Sequence, residues 1–343
     1  MKTIAILSCL VFNIFQFPRT AIPRIDGDFS DWEQVPAQYS VSTESLQDDS
    51  GRYAVPAPET LDITVKVGWV KGLNRLYFYY EAKDNYWDFS RHSIKNDTFE
   101  LVVDGDMSGG PHVAALRPDP ENVSQAEYFF STQNCHAQNY HIMTPAEPWK
   151  SWAMIWGPQQ WLKEFPYSNC AYSYDFKPGE PGVLKMEFYI TVYDYADPAG
   201  PEKSVESKLD EGHLIGLCWA VIDFDGGESK DGFWNLSPEH TMYGNASHER
   251  IFRLCPLEDV KPSPIQAAFS ISVEKGSRTA HFSDESTGTI TSRLWEFGDG
   301  TTSADKNPTH CYAGTRNQYT ATLTVRGPEG ESVCCKVREV CVW

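Results

Sequence analysis

Positive charge is scarce in this sequence. Over 343 residues, 29 Lys+Arg face 47 Asp+Glu, for a formal net charge of −18. A surface this acidic repels phosphate backbones and excludes nucleic acid as a natural partner. It suits a neutral ligand, and it suits calcium, which prefers carboxylate oxygens. The deficit is uneven: residues 263–343 carry 8 Lys+Arg against 9 Asp+Glu, so −17 of the −18 falls on residues 1–262. Also missing is any stretch after residue 17 apolar enough to span a bilayer. Helical periodicity is nearly absent. No Gly-x-Ser-x-Gly elbow, His-Glu-x-x-His pair or phosphate loop occurs, which removes the usual signatures of hydrolase, zinc-protease and nucleotide chemistry. Plentiful Asp and Glu still leave a glycosidase acid–base pair open.

Aromatic residues are abundant: 11 Trp, 17 Tyr and 18 Phe. They favour strands, and their flat faces also stack on sugar rings. Lys2 followed by the apolar run 3–17 reads as an export signal, assigned to residues 1–21. Cysteine usage agrees with an exported protein. Setting Cys9 aside leaves Cys135, Cys170, Cys218 and Cys255, then Cys311, Cys334, Cys335 and Cys341. Four on each side of the domain boundary suffice for two bridges per domain.

Short β-branched and aromatic runs punctuated by Gly, Pro, Asn and Asp indicate an all-β chain. Strands are expected at 62–69, 75–83, 98–103, 184–192, 214–221 and 249–254. In 75–83, Leu76, Phe78 and Tyr80 alternate with Tyr77, Tyr79 and Glu81, the pattern of a central strand covered on both faces. Residues 110–174 are irregular and Trp-rich, with Trp149, Trp152, Trp156 and Trp161. They are expected to form an ordered excursion from the sandwich, pinned by Cys135–Cys170. Lys261-Pro-Ser-Pro264 reads as a linker. The expected organisation is an export signal (1–21), a β-sandwich (22–257), a linker (258–264) and a small immunoglobulin-like β-sandwich (265–343).

Two resemblances sharpen this. Trp295-Glu-Phe-Gly-Asp-Gly300, Asn307-Pro-Thr-His310 and Tyr319-Thr-Ala-Thr-Leu-Thr-Val325 resemble the PKD domain, which implies a spacer or interaction module. Ile25-Asp-Gly-Asp-Phe-Ser-Asp-Trp32, Lys66-Val-Gly-Trp69, Leu76-Tyr-Phe78 and Asn96-Asp-Thr-Phe-Glu-Leu-Val-Val-Asp104 resemble the family 9 carbohydrate-binding module and its DOMON-related neighbours. That second resemblance implies a β-sandwich that binds a polysaccharide or glycan without catalysing its cleavage.

In that family two aromatics sandwich a sugar. The position matching the first falls near Ile94, which is not aromatic, so Trp87 is the nearest substitute. The second falls close to Tyr243, with Trp234 upstream. The ligand-binding residues expected here are Asp84, Tyr86, Trp87, Trp234, His240 and Tyr243. Asp104-Gly-Asp106-Met-Ser108 places oxygens at alternate positions, as in the first half of a calcium loop, although Ala115 stands where an EF-hand has glutamate. Asp223-Phe-Asp225 is a second acidic turn. A structural calcium ion is therefore expected at Asp104, Asp106, Ser108, Asp223 and Asp225. A haem-binding redox domain is the competing reading from the DOMON resemblance, with Met143, Met154 and Met242 as axial candidates.

Overall fold

A computed structural model describes residues 11–48, 56–57, 59–89, 95–113, 124–145, 151–227, 232–258, 265, 267–274, 276–313, 318–328 and 330–342. Cys9, Ile94, Ala115 and Trp149, and linker residues 259–264, lie outside them. The chain divides into two compact units, Met1–Gln16 with Ile25–Pro256, and Phe17–Arg24 with Leu257–Trp343.

The first unit is a two-sheet β-sandwich. One sheet contains β1 (Val11–Gln16), β2 (Ser40–Ser42), β4 (Leu61–Trp69), β5 (Arg75–Asp84), β9 (Ser168–Tyr174) and β10 (Gly182–Thr191). The other contains β3 (Gln47–Asp48), β6 (Thr98–Asp104), β7 (Gln138–Met143), β8 (Ala153–Ile155), β13 (Leu214–Asp223), β14 (Gly232–Asn235) and β15 (Arg250–Leu254). A helix α1 (Gln125–Thr132) and a small hairpin, β11 (Tyr193–Tyr195) with β12 (Val205–Glu206), flank them. The strand path is β8-β7-β6-β13-β15-β1-β4-β5-β10-β9.

Alternation explains the layering. Phe78, Tyr80 and Ala82 of β5 meet Phe99 and Leu101 of β6 and Leu217 and Trp219 of β13 in one core. The expectation that β5 is covered on both faces holds. Tyr77 and Tyr79 are also buried, and Trp32 lies over Tyr79 at 5.8 Å between ring centroids. The Asp26-Gly27 turn is anchored by a single carboxylate. Glu187 accepts from the amides of Asp26 and Gly27, at 2.9 and 2.8 Å, and from the Trp32 indole at 3.0 Å.

The structure bears on three expectations. Residues 11–16, assigned to an export signal, form β1, which pairs in parallel first with β15 and then with β4 and so joins the two sheets; Ile14 is fully buried. Residues 11–16 pair their backbone with β15 and β4 within the sandwich. The described parts of the Trp-rich stretch 110–174 add strands to the sandwich. β7 and β8 extend one sheet from β6, and β9 extends the other from β10. Finally, no disulfide forms among the described residues: Cys135, Cys170, Cys218, Cys255, Cys311 and Cys334 are thiols. The Cys135 thiol points at the carbonyls of Phe130 and Gln133, and β9 holds Cys170 opposite Phe188.

The second unit is a smaller sandwich. β16 (Phe269–Val273), β17 (Thr279–Asp284) and β20 (Thr309–Cys311) face β18 (Ser292–Glu296), β19 (Thr302–Ser303), β21 (Gln318–Gly327) and β22 (Gly330–Cys341). Trp295 is its fully buried centre, T-shaped against Phe269, with its indole N–H on the Asp305 carbonyl at 2.8 Å.

Candidate functional site

The expected site residues divide between separate places. The first is the end of β5 beside the end of β13. Asp84 and Asp223 are the last residues of those strands, Asp225 follows, and one oxygen of each lies within 4.8 Å of the others. Asp97 adjoins them, accepting from the amides of Asp88 and Phe224 at 2.6 and 2.8 Å. Burial first, then the charges of Asp223 and Asp225, push Asp84 up to about 8. Burial and Asp84 raise Asp97 well above the carboxylate range. So many carboxylates cannot all ionise together without a cation. The donors are all hard oxygens, the set calcium takes.

Tyr86 belongs to the same place. Its amide donates to Asp84 Oδ1 at 3.0 Å, and its ring lies against Gly226, where a Cβ would stand 2.7 Å from the phenol oxygen. Gly226 also has φ +76°, so only glycine fits there without strain.

The second place is the turn after β6. Asp104 accepts from the amides of Ser108 and Gly109, and Asp106 accepts from Ser108. Burial first, then Asp106, raise Asp104 to about 6. Beside this turn, both carboxylate oxygens of Glu249 are shut off from solvent, and burial and Asp104 hold its pKa well up. Sequence spacing alone missed Glu249 because it arrives from the residue preceding β15.

The third place is the face of the β6–β7 pair opposite the core. Phe99 and Leu101 point inward, so Glu100 lies on the reverse face, where the ladder sets it opposite His141. The Asn139 amide donates to Glu100 Oε1 at 2.8 Å and to the Tyr243 carbonyl at 2.9 Å. His141 Nδ1 stands 3.9 Å from Glu100. Burial alone would raise the Glu100 pKa, but His141 and Asn139 bring it below the usual value. Both His141 ring nitrogens and Asn139 Oδ1 are buried with no hydrogen-bond partner among the described residues. The Trp156 ring lies 6.1 Å from His141. Exposed His240 meets Phe233 at 5.1 Å and half-buried Tyr243 at 5.5 Å, both edge-on.

Of the expected ligand residues, His240 and Tyr243 therefore border this polar face, and Asp84 and Tyr86 border the acidic cluster. The two tryptophans are corrected. Trp87 is 1% exposed, stacked on Phe176 at 4.7 Å and 5°, with its indole on the Gly182 carbonyl. Trp234 is buried in the same core and donates to Asp223 Oδ2 at 3.3 Å. A ring closed on both faces offers no platform to a sugar. Trp152 and Trp161 also pack on the core. Glu100, Asn139 and His141 were missed, although polar residues at successive same-face positions of strands are a usable signal.

Residues 260–342 match the family model described as "PKD domain". A 44-residue segment is 52% identical to collagenase ColA of Bacillus cereus, covering 13% of this chain and 4% of that protein. The chain thus spans a small fraction of that relative's length. Among solved structures, the chain is similar to a family 9 carbohydrate-binding module from Caldicellulosiruptor kristjanssonii in complex with cellotriose. That match has 14% identity and a TM-score of 0.46, and covers 73% of this chain and 96% of that one. The PKD1 domain of Vibrio anguillarum Epp is 26% identical over 23% of this chain and 95% of its own, with a TM-score of 0.21.

Proposed function

We propose that the chain is an exported, non-catalytic glycan-binding protein, with the β6–β7 face carrying the ligand and the PKD domain acting as a spacer. The observation that carries this reading is the Glu100–Asn139–His141 group. Both His141 ring nitrogens and Asn139 Oδ1 have no hydrogen-bond partner among the described residues, which supports a site built for ligand hydroxyls. Trp156, His240 and Tyr243 supply ring faces beside it. The ladder geometry holds Glu100 and His141 rigidly, so little ordering is needed on binding.

Calcium has a structural role in this reading. Asp84, Asp223 and Asp225 would hold the ion, which relieves their mutual repulsion and ties the end of β5 to the end of β13. The Asp104–Asp106 turn, with Ser108, offers a second set of oxygen donors. The reading is tested by electrophoresis through gels containing soluble polysaccharides, with calcium or chelator. Retardation by at least one neutral polysaccharide is expected. Unchanged mobility in β-glucans, mannans, xylans and galactans alike would refute it.

A further inference from the structure

A second surface feature is built around α1. Phe129 and Phe130 of α1 are 40% and 53% exposed, unusual for large apolar rings. Phe130 helps line a wide-open surface depression of about 580 Å³, together with Tyr195, Glu127, Ser131, Asp197 and Pro198. That size is within the roughly 300–1,000 Å³ of small-ligand sites.

Both walls are pre-built. On one side a capping box fixes α1: the Ser124 hydroxyl accepts from the Glu127 amide while the Glu127 carboxylate accepts from Ser124. On the other, Asp197 is held by the Ala199 amide at 2.7 Å and by the Ser204 hydroxyl on its own amide at 2.8 Å. The Trp161 indole ties its carbonyl to the core at 3.0 Å. Tyr195 leans on His136 at 5.3 Å and donates to Asp197.

The lining dictates the ligand class. Among the described residues it offers an open aromatic face, two carboxylates and two hydroxyls, and no Lys or Arg. Anions are repelled. A flat, donor-rich ring is favoured, with its C–H face on Phe130 and its hydroxyls or amine on Glu127 and Asp197. We infer that this cleft is a second carbohydrate subsite that takes a neutral or amine-bearing hexose unit and rejects uronates. It does not depend on the β6–β7 face, and with that face it would let one polysaccharide chain engage the protein twice.

The test uses the full chain carrying Glu100→Gln and His141→Ala, so that the sheet-face site is disabled. The aromatic signals of Phe130 and Tyr195 are followed by NMR while cellohexaose, glucosamine hexamer or oligogalacturonate is added. Saturable shifts with cellohexaose or the glucosamine hexamer are expected, weakened about tenfold by Phe130→Ala and by Asp197→Asn, with melting unchanged. Absence of shifts with both, preference for oligogalacturonate, or equal affinity in both variants would overturn the inference. Because the background lacks the sheet-face group, failure here leaves the first reading standing, and failure there leaves this one standing.

Discussion

Glu100 and His141 face each other across the β6–β7 ladder, 3.9 Å apart and both nearly closed to solvent. A carboxylate and an imidazole at that separation attract without hydrogen-bonding, so each keeps capacity for a third partner. Replacing Glu100 with glutamine preserves shape and removes the charge. The expected outcome is a loss of glycan affinity of about tenfold or more, with melting shifted by only a few degrees. Titration calorimetry and a thermal melt read the two effects separately.

His240 and Trp87 should respond in opposite ways. His240 is exposed at the rim of the polar face, so His240→Ala is expected to weaken binding and leave stability unchanged. Trp87 is stacked on Phe176 inside the core, so Trp87→Ala is expected to cost about 3–5 kcal/mol of stability. Denaturant unfolding of both variants beside glycan titration checks the contrast.

Much of this fold was legible in the sequence, and the failures have physical causes. Six strands between Leu61 and Leu254 were readable because their alternation and turn residues agree. β1 was not read as a strand because an apolar run before a strand pattern suits both an export signal and a buried parallel strand. β7 was missed because Asn139 and His141 interrupt its apolar pattern, and those are the residues that make it interesting. Trp87 drew attention as an aromatic among polar neighbours, yet Phe176, ninety positions later, is what claims its ring. The acidic cluster was half legible: Asp223-Phe-Asp225 stood out as a turn, but only the fold brings Asp84 beside it.

Calcium and pH should be linked through that cluster. Asp84 rises to about 8 in the folded state from an ordinary value near 4. The folded protein therefore holds more protons than the unfolded chain between about pH 4 and 8, and stability contributed here falls as pH rises through that window. In chelator, melting midpoints are expected to drop from pH 5 to pH 8. Saturating calcium should replace the protons and raise the midpoint most at pH 8. Asp223→Asn should shrink both effects.

Glu187 gives an independent handle on the N-terminal turn. Burial raises its pKa to about 7, above an ordinary 4.5, against the opposing pull of its three donors. Its stability contribution likewise declines as pH rises from about 4.5 to 7. Glu187→Ala leaves the Asp26 and Gly27 amides and the Trp32 indole without this acceptor. The expected cost is roughly 1–3 kcal/mol per buried unmatched group. Hydrogen exchange at Gly27 and Trp32 Nε1 should accelerate before the rest of the sandwich opens.

The most direct test of the central claim is a glycan array probed in calcium with three forms of the full chain: unmodified, Glu100→Gln and Trp87→Phe. The account predicts that the unmodified protein retains a defined set of neutral glycans. Trp87→Phe, a core change, should keep the same set, and Glu100→Gln should lose it or bind it far more weakly. An unmodified protein that retains no glycan, or a Glu100→Gln protein with an undiminished pattern, would contradict it.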